Sequence, residues 1–123
     1  MTCPFCNPYS ERELIVESDN AFAIFDKFPV SLGHALIIPK RHCANYFELN
    51  FSEQSDCFLM LNEVKQIIES RYHPNGFNVG INISEAAGQT VPHVHIHLIP
   101  RYEGDVKEPR GGVRGVIPEK RSY

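Results

Sequence analysis

The run His93-Val94-His95-Ile96-His97-Leu98 places three imidazoles at alternate positions. Alternate side chains of a strand share a face. His93, His95 and His97 are therefore expected to line one face, and Val94, Ile96 and Leu98 to bury themselves on the other. Three readings follow. The first is a half-exposed strand with surface histidines, although β-propensity does not favour three of them in alternation. The second is a three-histidine catalytic metal site, with His93 and His95 supplying two ligands. The third is phosphoryl chemistry with histidine as nucleophile. Imidazole titrates near neutral pH, so a neutral nucleophile and a protonated partner can share one site.

The residues just upstream favour the third reading. Gly88, Gln89, Thr90 and Val91 precede the histidine run, and Asn82 lies a little earlier. Glycine lets a ligand approach the backbone closely. Amide and hydroxyl groups donate to phosphate oxygens without adding charge. Near the N-terminus Cys3-Pro4-Phe5-Cys6 forms a C-x-x-C pair. A redox motif of the thioredoxin kind needs a preceding strand and a following helix, and no strand is legible before Cys3. A structural zinc site needs two further ligands.

Positioning these groups requires an α+β fold, an antiparallel sheet of about five strands with one long helix. Strands are expected at 14–18, 21–27, 35–39, 77–83 and 93–100, from short apolar runs bounded by turn residues. A helix over 53–71 follows from Ser52 as N-cap and the spacing of Cys57, Leu61, Val64 and Ile68. His73-Pro74-Asn75-Gly76 ends it. From Tyr102 the chain is rich in proline, glycine and charge, so residues 103–123 read as a tail that either stays disordered or docks on a surface. At 123 residues, 42% hydrophobic and 22% charged, the chain fits one domain of ordinary composition. A net charge of −3 argues against bulk electrostatic binding of nucleic acid. With neither a membrane-length apolar run nor a leader-like start, a cytoplasmic setting is expected.

The run NINISEAAGQTVPHVHIHLIPR resembles the signature of the histidine-triad (HIT) family: His, apolar, His, apolar, His and two apolars behind a Gly-Gln-Ser/Thr-Val element. The upstream run AFAIFDKFPVSLGHALIIPKRH resembles the family as well, and the likeness spans roughly residues 3 to 101. It implies a HIT-like single domain over residues 1–123 with a short N-terminal helix. It also implies that His95 attacks phosphorus, with its other ring nitrogen donating to the His93 carbonyl. His97 and His34 match histidines that contact the phosphate and its leaving group. Gln89, Thr90 and Asn82 match phosphate contacts, and Asp26 matches the carboxylate that binds ribose. Phe5, Phe22 and Ile24 are base-pocket candidates, with core packing as the alternative. Zinc-bearing relatives pair the two cysteines with histidines, which nominates Cys3, Cys6, His42 and His93 as ligands of a structural Zn²⁺.

The expectation is a hydrolase or transferase acting at the α-phosphate of nucleotide conjugates, dinucleoside polyphosphates or AMP conjugates first, through a nucleotidyl-histidine. A nucleotide-binding adaptor with incidental hydrolysis is the alternative from another class. A zinc hydrolase built on the histidine row is a third. The resemblance further implies a homodimer, and the tail is then expected to reach toward the partner's active site, with Arg110 or Arg114 meeting outer phosphates.

Overall fold

The computed structural model describes residues 3–6 and 14–123. Five strands form one antiparallel sheet: β1 (Leu14–Glu17), β2 (Ala21–Phe25), β3 (Ala35–Pro39), β4 (Gly76–Ile81) and β5 (Ile96–Arg101), in the order β1-β2-β3-β5-β4. One long helix, α1 (Phe51–Tyr72), links β3 to β4 along the chain and packs mainly on β2 and β3. The α+β architecture expected from the sequence is the one observed. No short N-terminal helix is seen among the described residues: Cys3–Cys6 form a turn closed by the Cys6 N–H to the Cys3 carbonyl at 3.1 Å, and residues 7–13 lie outside the described residues.

Side-chain alternation divides the two faces. Ala21, Ala23, Ala35, Ile37, Ile96 and Leu98 bury against Cys57, Met60, Val64 and Ile68 of the helix. The three alanines let the helix backbone come close to the central strands. The opposite face carries Phe22, Ile24, Leu36 and Ile38, roofed by Phe5. Leu36 pairs directly with His97 across the β3–β5 ladder. Paired residues share a face, so His97 lies on the side away from the helix.

The helix begins two residues before the expected start. Its cap is Asn50 rather than Ser52, in a capping box. The Asn50 side chain accepts from the Glu53 N–H at 2.8 Å, and Glu53 accepts from the Asn50 N–H at 2.9 Å. Glu53 is buried, and both its oxygens take the Arg41 guanidinium, at 2.8 and 2.9 Å. The last strand also differs from expectation. Its ladder starts at Ile96, because upstream the backbone bonds elsewhere: the Val94 N–H goes to the Cys43 carbonyl at 2.7 Å. His93 and His95 therefore sit in the approach to the strand, and only His97 in the ladder.

Residues 103–123 are ordered against their own chain. Arg101 and Asp105 form a bidentate pair at 2.8 Å, and short 3₁₀ turns follow at Gly112–Val116 and Pro118–Lys120. The first of these turns packs on β4. Arg110 and Arg114 both stack their guanidinium groups over Tyr123, and Arg114 donates to the carbonyls of Lys120 and Arg121. Those contacts occupy the arginines expected to meet outer phosphates.

Candidate active site and metal centre

The three histidines of the run do not share one site. His93 is fully buried and turns away from the cavity, toward Cys3, Cys6 and His42. His95 and His97 both line the cavity, with ring centroids 5.2 Å apart. A surface-histidine reading fails on burial, since His95 is only 8% exposed. A metal site on the whole row fails on this division.

The ligand atoms of Cys3, Cys6, His42 and His93 converge within 4.8 Å of one another. Individual separations are 3.4 Å for Cys3 Sγ to His93 Nδ1, 3.2 Å for Cys6 Sγ to His42 Nδ1, 3.6 Å for Cys6 Sγ to His93 Nδ1 and 3.3 Å for His42 Nδ1 to His93 Nδ1. A tetrahedron built on ordinary zinc bond lengths has edges of about 3.3–3.8 Å. The ring of His93 is also preset for coordination. Its Nε2–H donates to the Pro39 carbonyl at 2.8 Å, which leaves Nδ1 bare toward the cluster. Burial also holds this ring below the ordinary histidine range, against the Pro39 contact. The donor set, spacing and outer support all fit a four-coordinate zinc.

The His93 backbone carbonyl meets the nucleophile candidate. His95 Nδ1 lies 2.8 Å from it, and only a protonated nitrogen can donate there. A neutral His95 consequently presents an unprotonated Nε2, which has no protein partner among the described residues.

His34 and His97 form a second chain of fixed tautomers. The Val30 N–H donates to His34 Nδ1 at 3.1 Å, so that nitrogen is bare and the proton sits on Nε2. His34 Nε2–H faces His97 Nδ1 at 3.0 Å and Asp26 at 3.4 Å. His97 Nδ1 then accepts, and its proton sits on Nε2, again without a protein partner among the described residues. Burial lowers the His34 pKa despite the Asp26 carboxylate. Burial, then the neighbouring His95 and His34, lowers His97 to about 4. Both rings are neutral at pH 7. Asp26, His34 and His97 also converge as three potential metal ligands. Coordination through His34 Nε2 would push its proton onto Nδ1, directly against the Val30 N–H. The hydrogen bonding argues for a donor chain instead.

These groups surround a cavity of about 520 Å³, lined by Asp26, His34, Asn82, Gly88, Thr90, His95 and His97, with Phe5, Leu36 and Val91 as apolar wall. A volume of that size suits a small ligand such as a nucleotide. Phe5 is packed 5.0 Å from His95 and 6.1 Å from His93, ring centroid to ring centroid, so it bridges the metal cluster and the cavity. Phe22 and Ile24 lie beneath the cavity floor, 1% and 0% exposed, and do not line it. Gln89 does not line it either. Its amide braces the loop, accepting from the Ser84 N–H at 2.8 Å and donating to the carbonyls of Ala44 and Val91 at 2.8 and 3.1 Å. Asp26 accepts from the Phe28 N–H at 2.9 Å as well as facing His34.

Sequence reasoning missed several contributors. Lys27, Phe28 and Val30 line the cavity from the loop between β2 and β3, and the Val30 N–H fixes a tautomer. Their signal was only proximity to Asp26. The Pro39 carbonyl had no sequence signal, because backbone acceptors are identity-blind.

With this geometry in place, comparison with known proteins is direct. The HIT domain pattern matches residues 7–104, and the chain belongs to this family. It is 42% identical over 80 residues to bis(5'-nucleosyl)-tetraphosphatase [asymmetrical] of Schizosaccharomyces pombe, covering 65% of this chain and 44% of that protein. It is 34% identical over 107 residues to bis(5'-adenosyl)-triphosphatase of Dictyostelium discoideum, covering 85% of this chain and 72% of that protein. A Zn-bound histidine triad family protein from Mycobacterium smegmatis superposes with a TM-score of 0.79 at 31% identity, over 88% of this chain and 81% of that one. The chain spans 44% to 63% of the length of several curated relatives. Among the described residues, no helix is long and apolar enough to cross a membrane.

Proposed function

We propose that the protein is a nucleotide hydrolase or nucleotidyl transferase that cleaves nucleotide conjugates at the α-phosphate through a nucleotidyl-His95 intermediate. The observation that carries this reading is the 2.8 Å contact from His95 Nδ1 to the His93 carbonyl, with the opposite nitrogen bare beside the cavity. His95 Nε2 forms a bond to phosphorus as the leaving group departs with the bonding electron pair. Water then cleaves the phosphorus–nitrogen bond. The hydroxyl stays on phosphorus, and the remaining proton balances the departed group. His97 Nε2–H, set by the chain from Val30 through His34, is the donor for charge developing at the phosphate or the leaving atom. Thr90, Asn82 and the backbone at Gly88 are the phosphate contacts, and Asp26 faces the ribose. Gln89 holds the loop that carries Gly88 and Thr90. The activities in the names of the yeast and Dictyostelium relatives support dinucleoside polyphosphates, with AMP conjugates, as the first substrates to assay.

Zinc on Cys3, Cys6, His42 and His93 supplies a structural clamp, stabilising the fold where the N-terminal turn meets the histidine run. The four thiols suit a reducing, cytoplasmic setting. A homodimer, and one working unit over residues 1–123, complete the reading; the exposed Phe51, Phe58 and Leu59 on α1 support the dimer. The test is single-turnover reaction with a radiolabelled nucleotide conjugate, followed by peptide mapping. Label on His95 supports the reading, and label elsewhere or none rejects it.

A further inference from the structure

Three of the four residues in the Cys/His cluster are held by hydrogen bonds of their own. Cys3 and Cys6 are joined by the Cys6 N–H to the Cys3 carbonyl at 3.1 Å. His93 donates from Nε2 to the Pro39 carbonyl at 2.8 Å. His42 is different. It is exposed, and among the described residues no hydrogen bond holds its Nε2 or its backbone. A metal-ligating histidine ordinarily has its other ring nitrogen fixed by an outer partner. The place of His42 at the cluster must instead come from the chain on either side.

Both neighbours are anchored. Cys43 is buried, and its carbonyl accepts the Val94 N–H at 2.7 Å. Arg41 reaches the first turn of α1. Its Nε and Nη2 donate to the two carboxylate oxygens of Glu53 at 2.8 and 2.9 Å, and Nη2 also faces the Glu48 carbonyl at 3.4 Å. Glu53 is buried and is itself fixed, because it closes the capping box on the Asn50 N–H. The residue before His42 is thereby tied to the capped end of a helix.

Stability alone does not call for this pair. Arg41 is half exposed and Glu53 is buried, so the cost of desolvating the carboxylate offsets much of the attraction. Ion pairs of this kind are commonly replaceable by apolar residues without loss of stability. What the pair supplies is geometry, because a guanidinium and a carboxylate bonded fork to fork fix their relative position.

We infer that Arg41 and Glu53 are positioning residues of the Cys/His cluster, holding His42 Nδ1 at its corner of the ligand set and so setting the zinc affinity of the chain. This rests on the zinc assignment above. Ligand distances in a formed site fall within about 0.2 Å of their ordinary values. A chain free to shift at residue 41 therefore weakens binding even with all four ligands present.

The experiment measures the zinc Kd by competition with a chromophoric chelator, the visible spectrum of the Co²⁺-loaded protein, and the thermal midpoint with and without zinc. The proteins are the wild type, Arg41→Gln, Arg41→Lys, Glu53→Gln and the double variant of Arg41→Gln with Glu53→Gln. Glu53→Gln keeps an oxygen for the Asn50 N–H, so the helix cap is retained. Each single change to glutamine should weaken zinc by about 10-fold to 100-fold, the scale of losing an outer partner of a metal ligand. Arg41→Lys should recover little of this, since an ammonium keeps the charge and loses the fork. The double variant should bind zinc no more weakly than either single one, because the two residues act as a unit. The Co²⁺ spectrum should change in every variant, and the rise in thermal midpoint on adding zinc should shrink. Unchanged zinc affinity and Co²⁺ spectrum, with equal falls in both midpoints, would make the pair a support of the fold alone and overturn the inference while leaving the zinc assignment standing. Full recovery in Arg41→Lys would make the effect one of charge, and overturns it as well. A wild type that binds neither metal sinks the zinc assignment, and the inference falls with it.

Discussion

The His93 carbonyl accepts the Nδ1–H of His95 at 2.8 Å, while the ring of the same His93 faces two cysteines and His42. One residue thus joins the Cys/His cluster to the proposed nucleophile, through its imidazole on one side and its backbone on the other. Metal binding should hold the fold and, through it, the orientation of His95. About one zinc per chain is expected by elemental analysis. Cys3→Ser with Cys6→Ser should abolish zinc and lower thermal stability more than it lowers the rate of the chemical step. Zinc-free protein from zinc-replete growth would contradict the assignment. So would a double variant that loses catalysis at unchanged thermal stability, since that pattern belongs to a catalytic metal.

Gly33 sets the position of His34. Its φ is +90, and a Cβ would stand 2.8 Å from Tyr72 Cδ2. Gly33→Ala should therefore destabilise the protein by about 1–3 kcal/mol, the usual cost of a non-glycine residue forced into such a region. Urea unfolding measures it. A loss below about 0.5 kcal/mol would show that the loop relaxes freely.

Gln89 braces its loop through three hydrogen bonds, and we propose that this bracing is its role in the site. Gln89→Ala frees the Ser84 N–H and two carbonyls, so the loop bearing Gly88 and Thr90 loosens. A fall in kcat/KM of roughly 10²-fold is expected, the scale of a small misplacement at a reacting centre. Hydrogen exchange at residues 84–90 should rise with it. Lost activity with unchanged exchange would point to direct contact between Gln89 and substrate.

Acid should destabilise the fold through His97. The group titrates near 4 in the folded protein, because burial and the neighbouring histidines disfavour its charge, against 6.5 ordinarily. Between those values the unfolded chain binds a proton that the folded chain does not. Stability therefore rises with pH from about 4 to about 6.5 and falls as pH is lowered through that window. His97→Gln should flatten the pH dependence of thermal stability there. An identical slope in variant and wild type would contradict the assignment.

The sequence was most informative where chemistry is local. Alternation placed Ile96 and Leu98 against the helix, because strand geometry is a fixed two-residue repeat, whereas Val94, ahead of the ladder, packs with Cys43 and Leu49 instead. It did not show that His93 turns to a different cluster from His95, since that depends on the Cys43 carbonyl taking the Val94 N–H some fifty residues away in sequence. Helix α1 was legible from its apolar spacing, but the Ser52 cap lost to Asn50 because the capping box needs Glu53 three residues on. Glu53 reads as a surface residue until Arg41 is placed beside it. Phe22 and Ile24 carry the hydrophobicity of a base pocket, yet the β2–β3 register sets them beside Ile38 and Leu36 in one packed cluster with Phe5, where they are buried. From composition the tail reads as either disordered or docked on a surface, and its turns rest on Arg–carbonyl and Arg–Tyr123 contacts that periodicity does not encode.

The most direct test of the central claim is His95→Ala, assayed against nucleotide conjugates with AMP affinity and thermal unfolding measured in parallel. The account predicts a loss of turnover of at least about 10⁴-fold, as for removal of a covalent nucleophile, with no nucleotidyl-protein adduct and with the fold and nucleotide binding retained. Turnover within about tenfold of the wild type, or an adduct still formed on another residue, would contradict it.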